Sequence, residues 1–220
     1  MAKYLIHTYP KRLWYVEEYL IPSMLEQGID KVDITIYNDS KGEGNLRACL
    51  NAFASCTEDG GTWHLQDDVC ICKDFKERTE KYDKGLVAGF SSLLFDGDIE
   101  EKKGVVSVRD MWFSFPCIRI PNNYARECAE WVSKYIIGNP IYKKMWEKGV
   151  NDDWAFRLYL SNFHKTDRAL NATPNLVDHV DYLLGGGSGG QRPKPVRAQY
   201  WTDADVVEEL ESKINGRKRN

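Results

Sequence analysis

The order of elements legible in residues 1–75 constrains this chain most. "KYLIHTY" (3–9) reads as a buried strand, and "KRLWYVEEYLIPSMLEQGI" carries Leu13, Val16, Tyr19, Leu20 and Met24 at helical spacing, interrupted late by Pro22. A second strand at 31–39, "KVDITIYND", alternates Val32, Ile34 and Ile36 and runs into Asn38 and Asp39. "GEGNLRACLNAFASC" repeats Leu46, Cys49, Leu50 and Phe53 at helical spacing, and "GGTWHLQDDV" supplies a third strand. Strand, helix, strand, helix, strand favours a mostly parallel sheet, because parallel neighbours need a crossover long enough to hold a helix. In such open sheets ligand groups sit beyond the carboxyl ends of the strands.

The second half reads differently. "GVVSVRDMWFSFPCIRIP" (104–121) holds one or two strands, Pro121 opens an amphipathic helix to about Tyr135, and 151–163 is another helix beginning on acids. "LLGGGSGGQRPKPVR" (183–197) packs five glycines into six residues before Arg192, Lys194 and Arg197, a mobile loop by composition. The final stretch from Asp203 is a short helix capped by Asp203 or Thr202 and ending in a basic tail. With 220 residues and 42% hydrophobic side chains, one domain is expected. Within it, 1–75 forms a nucleotide-binding half, 76–182 an acceptor-side half, 183–197 the loop and 198–220 the C-terminal helix and tail. A formal charge of −3 neither implies nor excludes a polyanion partner such as DNA, since local patches can still bind one. The six cysteines lack zinc-ligand spacing and read as reduced core residues. No run approaches eighteen apolar residues, so no membrane span and a cytoplasmic location are expected.

Three acidic groups carry the chemistry. Asp67 and Asp68 end the third strand, a rigid platform for hard oxygen ligands of magnesium or manganese, with a turn or cap as the competing role. Asp178, His179 and Asp181 lie on a short strand-like run before the glycine loop, so a metal held by His179 could bridge a diphosphate under Arg192, Lys194 and Arg197. Asn151, Asp152 and Asp153 open a helix, where acids also stabilise the dipole. Asp153, ahead of Asp152, is the expected general base toward an acceptor hydroxyl.

Taken in order, "NLRACLNAF", "WHLQDDV", the acidic helix start and "LVDHVDYLLGGGSGG" make the chain resemble nucleotide-sugar-dependent glycosyltransferases of the GT-A fold. More narrowly, it resembles the small phage and prophage versions that modify hydroxymethylated DNA bases. The resemblance implies an α/β fold: a Rossmann-like, mixed, mostly parallel sheet flanked by helices in a single domain. It implies that the acidic signature and a late His bind a divalent cation, manganese or magnesium, and through it the diphosphate of a sugar nucleotide, UDP-linked by expectation. The matching positions are Asp67, Asp68 and His179. Gln66 stands where a first carboxylate is commoner, so either Asp68 holds the metal with Asp67 on the sugar, or the roles are swapped. Thr8, Tyr9, Pro10 and Asp39 would contact the nucleoside. Arg47 and Asn51, one helical turn apart, would face the phosphates or sugar.

The expected reaction is sugar transfer to a hydroxyl, inverting in its simplest form, with retention left open. A hydroxymethylated pyrimidine in DNA is the acceptor the resemblance suggests, contacted by Arg119, Arg126, Lys134, Lys143 and Lys144 with Trp112 or Trp154 stacking. A metal-dependent phosphohydrolase or nuclease, or a non-catalytic nucleotide-binding module, are the competing classes.

Overall fold

In a computed structural model, residues 2–90, 104–107 (backbone only), 115–142, 152–165, 167–185, 198 and 201–217 are described. Nine strands form: β1 (Lys3–Thr8), β2 (Ile34–Asn38), β3 (Gly61–Gln66), β4 (Val69–Ile71), β5 (Leu86–Ala88), β6 (Gly104–Ser107), β7 (Cys117–Pro121), β8 (Arg168–Asn171) and β9 (Val177–His179). Seven make one mixed sheet in the order β2-β1-β3-β7-β5-β8-β6, and β4 and β9 pair separately. β2, β1 and β3 run parallel, as do β5 and β8, whereas β7 is antiparallel to β3 and β5, and β6 to β8. The sheet is therefore mixed and mostly parallel in direction, as the strand–helix alternation predicts.

The period-2 alternation of side chains separates two cores. Tyr4, Ile6, Trp63, Leu65 and Val87 face one side, with the helical stretch from Leu13 to Glu26 and with Val207, Leu210 and Ile214 of the Ala204–Arg217 helix. Leu5, Leu86, Ala88, Ile118 and Ile120 face the other, against the helices Asn45–Ala54, Asn122–Trp131 and Asp152–Phe163. No helix among the described residues is long and apolar enough to cross a membrane.

Three local expectations change. The strand expected at 31–39 begins at Ile34, because Lys31–Asp33 forms a 3-10 turn and leaves Val32 84% exposed. β2 is an edge strand, so its alternation buries little. Pro22 does not break its helix. It sits in the first turn of Ile21–Glu26, after a π-helical turn at Val16–Leu20, where the missing N–H has least effect. Asp203 directs Oδ2 at the Lys73 N–H (2.8 Å), tying the last helix to the turn after β4 rather than capping that helix.

Two histidines pack against Phe53 of the second core. His7 Nε2 is 2.9 Å from His64 Nδ1, and Phe53 packs edge-on against both rings. Burial pushes His7 down to about 4 and His64, only 2% exposed, well below its ordinary value. Both rings are thus neutral when folded and take up protons on unfolding. Stability is accordingly lost as pH falls from about 6.5 toward 4. For half-buried His7 the loss at pH 4.5 is on the order of 2 kcal/mol after discounting for solvent. Urea midpoints at pH 7 and 4.5 should show it, and His64→Leu should flatten the dependence.

Candidate functional site

The site forms at the carboxyl ends of β1 and β3. After Thr8 the chain makes a tight turn in which Arg12 N–H donates to Tyr9 O (2.9 Å), and Arg12 enters the interior with 4% exposure. The β3–β4 turn presents Asp67 and Asp68, both buried. β4 pairs with β9 in the register Val69↔His179, and Val180 N–H donates to Asp68 O (2.7 Å), so the hairpin-like pair delivers His179 to the acids.

Arg12 Nη1 donates to Asp67 Oδ1 (3.0 Å) and to Asp68 Oδ2, while Thr8 Oγ1 donates to Asp67 Oδ2 (3.0 Å). His179 Nε2 lies 3.1 Å from Asp68 Oδ1, and its Nδ1 lies 3.5 Å from Asp181 Oδ1. Burial raises both carboxyls of the pair. In Asp68 the His179 and Arg12 charges override burial and hold the group below the usual carboxylate range. In Asp67 burial and the Asp68 charge outweigh Arg12 and Thr8, so the carboxyl is raised. Of the two, Asp68 is the one held toward its ionised form.

Asp68 Oδ1 and Asp181 Oδ1 are buried and face the two ring nitrogens of His179. Two donors at right angles, each about 2.1 Å from one hard cation, stand about 3 Å apart. The 3.1 Å between Asp68 Oδ1 and His179 Nε2 fits that spacing, so these two residues would suit a magnesium or manganese ion. Among the described residues the tight three-ligand cluster is a different one, Cys72, Asp74 and Asp203. Arg78 already contacts Cys72 Sγ and Asp74, and burial pushes the Cys72 thiol up to about 12, which disfavours the thiolate a metal needs.

A second carboxylate stands on the other face of the same sheet edge. Asp152 opens its helix, is buried, accepts from Asn45 Nδ2 (3.0 Å) at Oδ1 and is hydrogen-bonded by the Gln66 side chain. Gln66 is the last residue of β3 and the neighbour of Asp67, so it links the two acid groups. Burial, then the Asp153 charge, push Asp152 up to about 7 against the helix-start N–H groups. Asp153 is half-buried and accepts the Trp154 N–H (2.7 Å), a first-turn role. Asp152, which spacing alone puts second to Asp153, is the more buried of the two.

The remaining expected contacts divide. Thr8 is in the cluster, Tyr9 lies under the Arg12 guanidinium (5.7 Å) and Pro10 is exposed beside it. Asp39 uses both oxygens on the Glu43 and Gly44 N–H groups (2.8 and 3.0 Å), closing the loop into the Asn45–Ala54 helix, where Gly44 takes φ +88. Arg47 and Asn51 share a face, and both are exposed, Asn51 donating to Glu43 Oε2 (2.7 Å). Arg192 and Lys194, like Trp112, Lys143 and Lys144, lie outside the described residues. Arg119 donates to Asp83 O and Gly85 O, and Arg126 to Cys56 O and Glu58 O, so these two cations are engaged by backbone rather than presented to DNA.

Arg12, Asn45 and Gln66 are the site residues that the sequence reading passes over. Nothing in "YPKRLW" distinguishes the buried Arg12 from the exposed Lys11 beside it. A cleft of about 750 Å3 opens at the amino-terminal ends of β1 and β3, lined by Lys3, Thr62, Tyr82 and Arg119, a strand's length from Asp68. Its Lys3 is paired with Asp33 and its Arg119 with carbonyls.

No family model matches the sequence, and no curated protein does. Among solved structures, A197 from STIV shares 18% identity over 80% of this chain and 85% of its own, with a TM-score of 0.43. A glycosyltransferase involved in glycosylation of the major capsid of PBCV-1 shares 11% over 96% and 99%, with a TM-score of 0.42. The galactosyltransferase LgtC, solved with donor and acceptor sugar analogs, shares 13% over 96% and 95%, with a TM-score of 0.41. None of these reaches 0.5, and the functional reading rests on the residues themselves.

Proposed function

We propose that this protein is a glycosyltransferase that moves a sugar from a nucleoside diphosphate sugar, UDP-linked by preference, to a hydroxyl acceptor. One observation carries the reading. An acid beside Arg12 and an imidazole (Asp68, His179) and a second acid raised by burial (Asp152) occupy one edge of a mostly parallel sheet, linked through Gln66. That edge is where open α/β sheets bind nucleotides, and the two acids differ in the way that leaving-group stabilisation and proton abstraction require.

Asp68 and His179 would hold the divalent ion, which when bound supplies positive charge to the departing diphosphate. Arg12 adds a fixed positive charge beside it. Asn45 donates to Oδ1 of Asp152 and orients the carboxylate that would receive the acceptor's proton. Arg192 and Lys194 are proposed to meet the phosphates. Support for this is that Ala198 N–H donates to Asp178 Oδ1 (2.7 Å), anchoring one flank of their segment beside His179.

The test is a panel of sugar nucleotides with manganese, read by nucleoside diphosphate release. Hydroxymethylated DNA, unmodified DNA and simple sugars serve as separate acceptor arms, read by mass. Release from one donor, with a one-sugar mass gain on one acceptor, is expected. Cleavage of DNA with no sugar chemistry would move the assignment to a nuclease, and inertness toward every donor would leave a binding module.

A further inference from the structure

The acid pair already contains a cation. Asp67 and Asp68 together offer four carboxylate oxygens, and three are engaged: Asp67 Oδ1 and Asp68 Oδ2 by Arg12, and Asp67 Oδ2 by Thr8. The fourth, Asp68 Oδ1, is left to His179, whose Nε2 it faces at 3.1 Å. We propose that Arg12 competes with the divalent ion for this pair. It withholds Asp67 as a ligand, confines the ion to Asp68 Oδ1 and His179 Nε2, and keeps metal affinity low until a diphosphate completes the shell.

The inference rests on reading this site as the diphosphate site, and it follows from charge and geometry. A guanidinium at 4% exposure is poorly screened, so an ion sharing Asp68 with it feels its repulsion. Both bonds come from Nη1, at the far end of the arginine side chain, and the shorter lysine would keep the charge but hold it farther from the pair. A diphosphate changes the balance, because its charge is attracted by the ion and by Arg12 together. Metal and nucleotide are then expected to bind cooperatively, each weakly alone.

The experiment is a manganese titration followed by electron paramagnetic resonance, first without nucleotide. Wild type should bind weakly, with Kd on the order of 10⁻³ M, and Arg12→Gln should bind at least about tenfold more tightly. In the Arg12→Gln background, Asp67→Asn should remove that gain, while in wild type Asp67→Asn should change Kd little. UDP should tighten manganese binding more in wild type than in Arg12→Gln. Unchanged or weaker manganese binding by folded Arg12→Gln would overturn the proposal, as would a gain that survives Asp67→Asn or Asp68→Asn. Should Arg12→Gln fail to fold, Arg12→Lys decides on the same readout, with an intermediate gain expected and no gain overturning it. Metal affinity is measured without a sugar donor, so an absence of sugar transfer would sink the functional reading without touching this one.

Discussion

Replacing Asp152 by asparagine should lower kcat for sugar transfer by about 100-fold to 10,000-fold, the range associated with loss of a general base. In the wild type, activity should rise with pH through about 7, because the working form is the carboxylate and burial with the Asp153 charge holds the group protonated below that. The variant should lose this limb. Its stability should move the opposite way. A carboxyl raised from 3.8 to about 7 is ionised in the unfolded chain and not in the folded one between those values, so wild-type stability falls as pH rises across that window. Asparagine removes the penalty, and at pH 8 Asp152→Asn should be stabler by on the order of 2–4 kcal/mol. Loss of activity with gain of stability separates a catalytic acid from a structural one. A variant that is both active and no more stable would refute the assignment.

Asp68→Asn should lower kcat by about 100-fold to 1000-fold, as expected for loss of one group that stabilises leaving-group charge. Here stability should fall with activity. Asp68 accepts from Arg12 and pairs with His179 in the interior, and removing one partner of a buried ion pair costs about 3–5 kcal/mol. For a chain of this size that lowers Tm by roughly 10 °C. Circular dichroism at 20 °C would confirm that the variant is folded before its kinetics are read. Asp153→Asn, whose side chain serves the Trp154 N–H, should lose far less activity than Asp152→Asn, and an equal loss would return the role of base to Asp153.

The two acid groups were visible in the sequence for different reasons. Asp67 and Asp68 are adjacent, follow a strand with strong β-formers and precede Val69, so their place at a strand end needed only local pattern. Asp152 and Asp153 were equally plain as a helix start, but the choice between them was not. The Asp152 environment is built by Asn45, 107 residues earlier, and by Gln66. Asp39 shows the converse. Its position after β2 suggested a nucleoside contact, whereas its oxygens close onto N–H groups four and five residues on, a local use that Gly42 and Gly44 make possible.

By itself, the order of apolar periodicities determined the alternation of elements in residues 1–75 and hence a mostly parallel sheet with its acids at the carboxyl edge, because period and strand-end position are properties of neighbouring residues. Only the tertiary structure decided which acids share charge. Arg12 reaches Asp67 and Asp68 across more than fifty residues of chain, and His179 arrives through the β4–β9 pairing. Burial and through-space charge set the protonation of these groups, and neither quantity exists until distant segments have packed together.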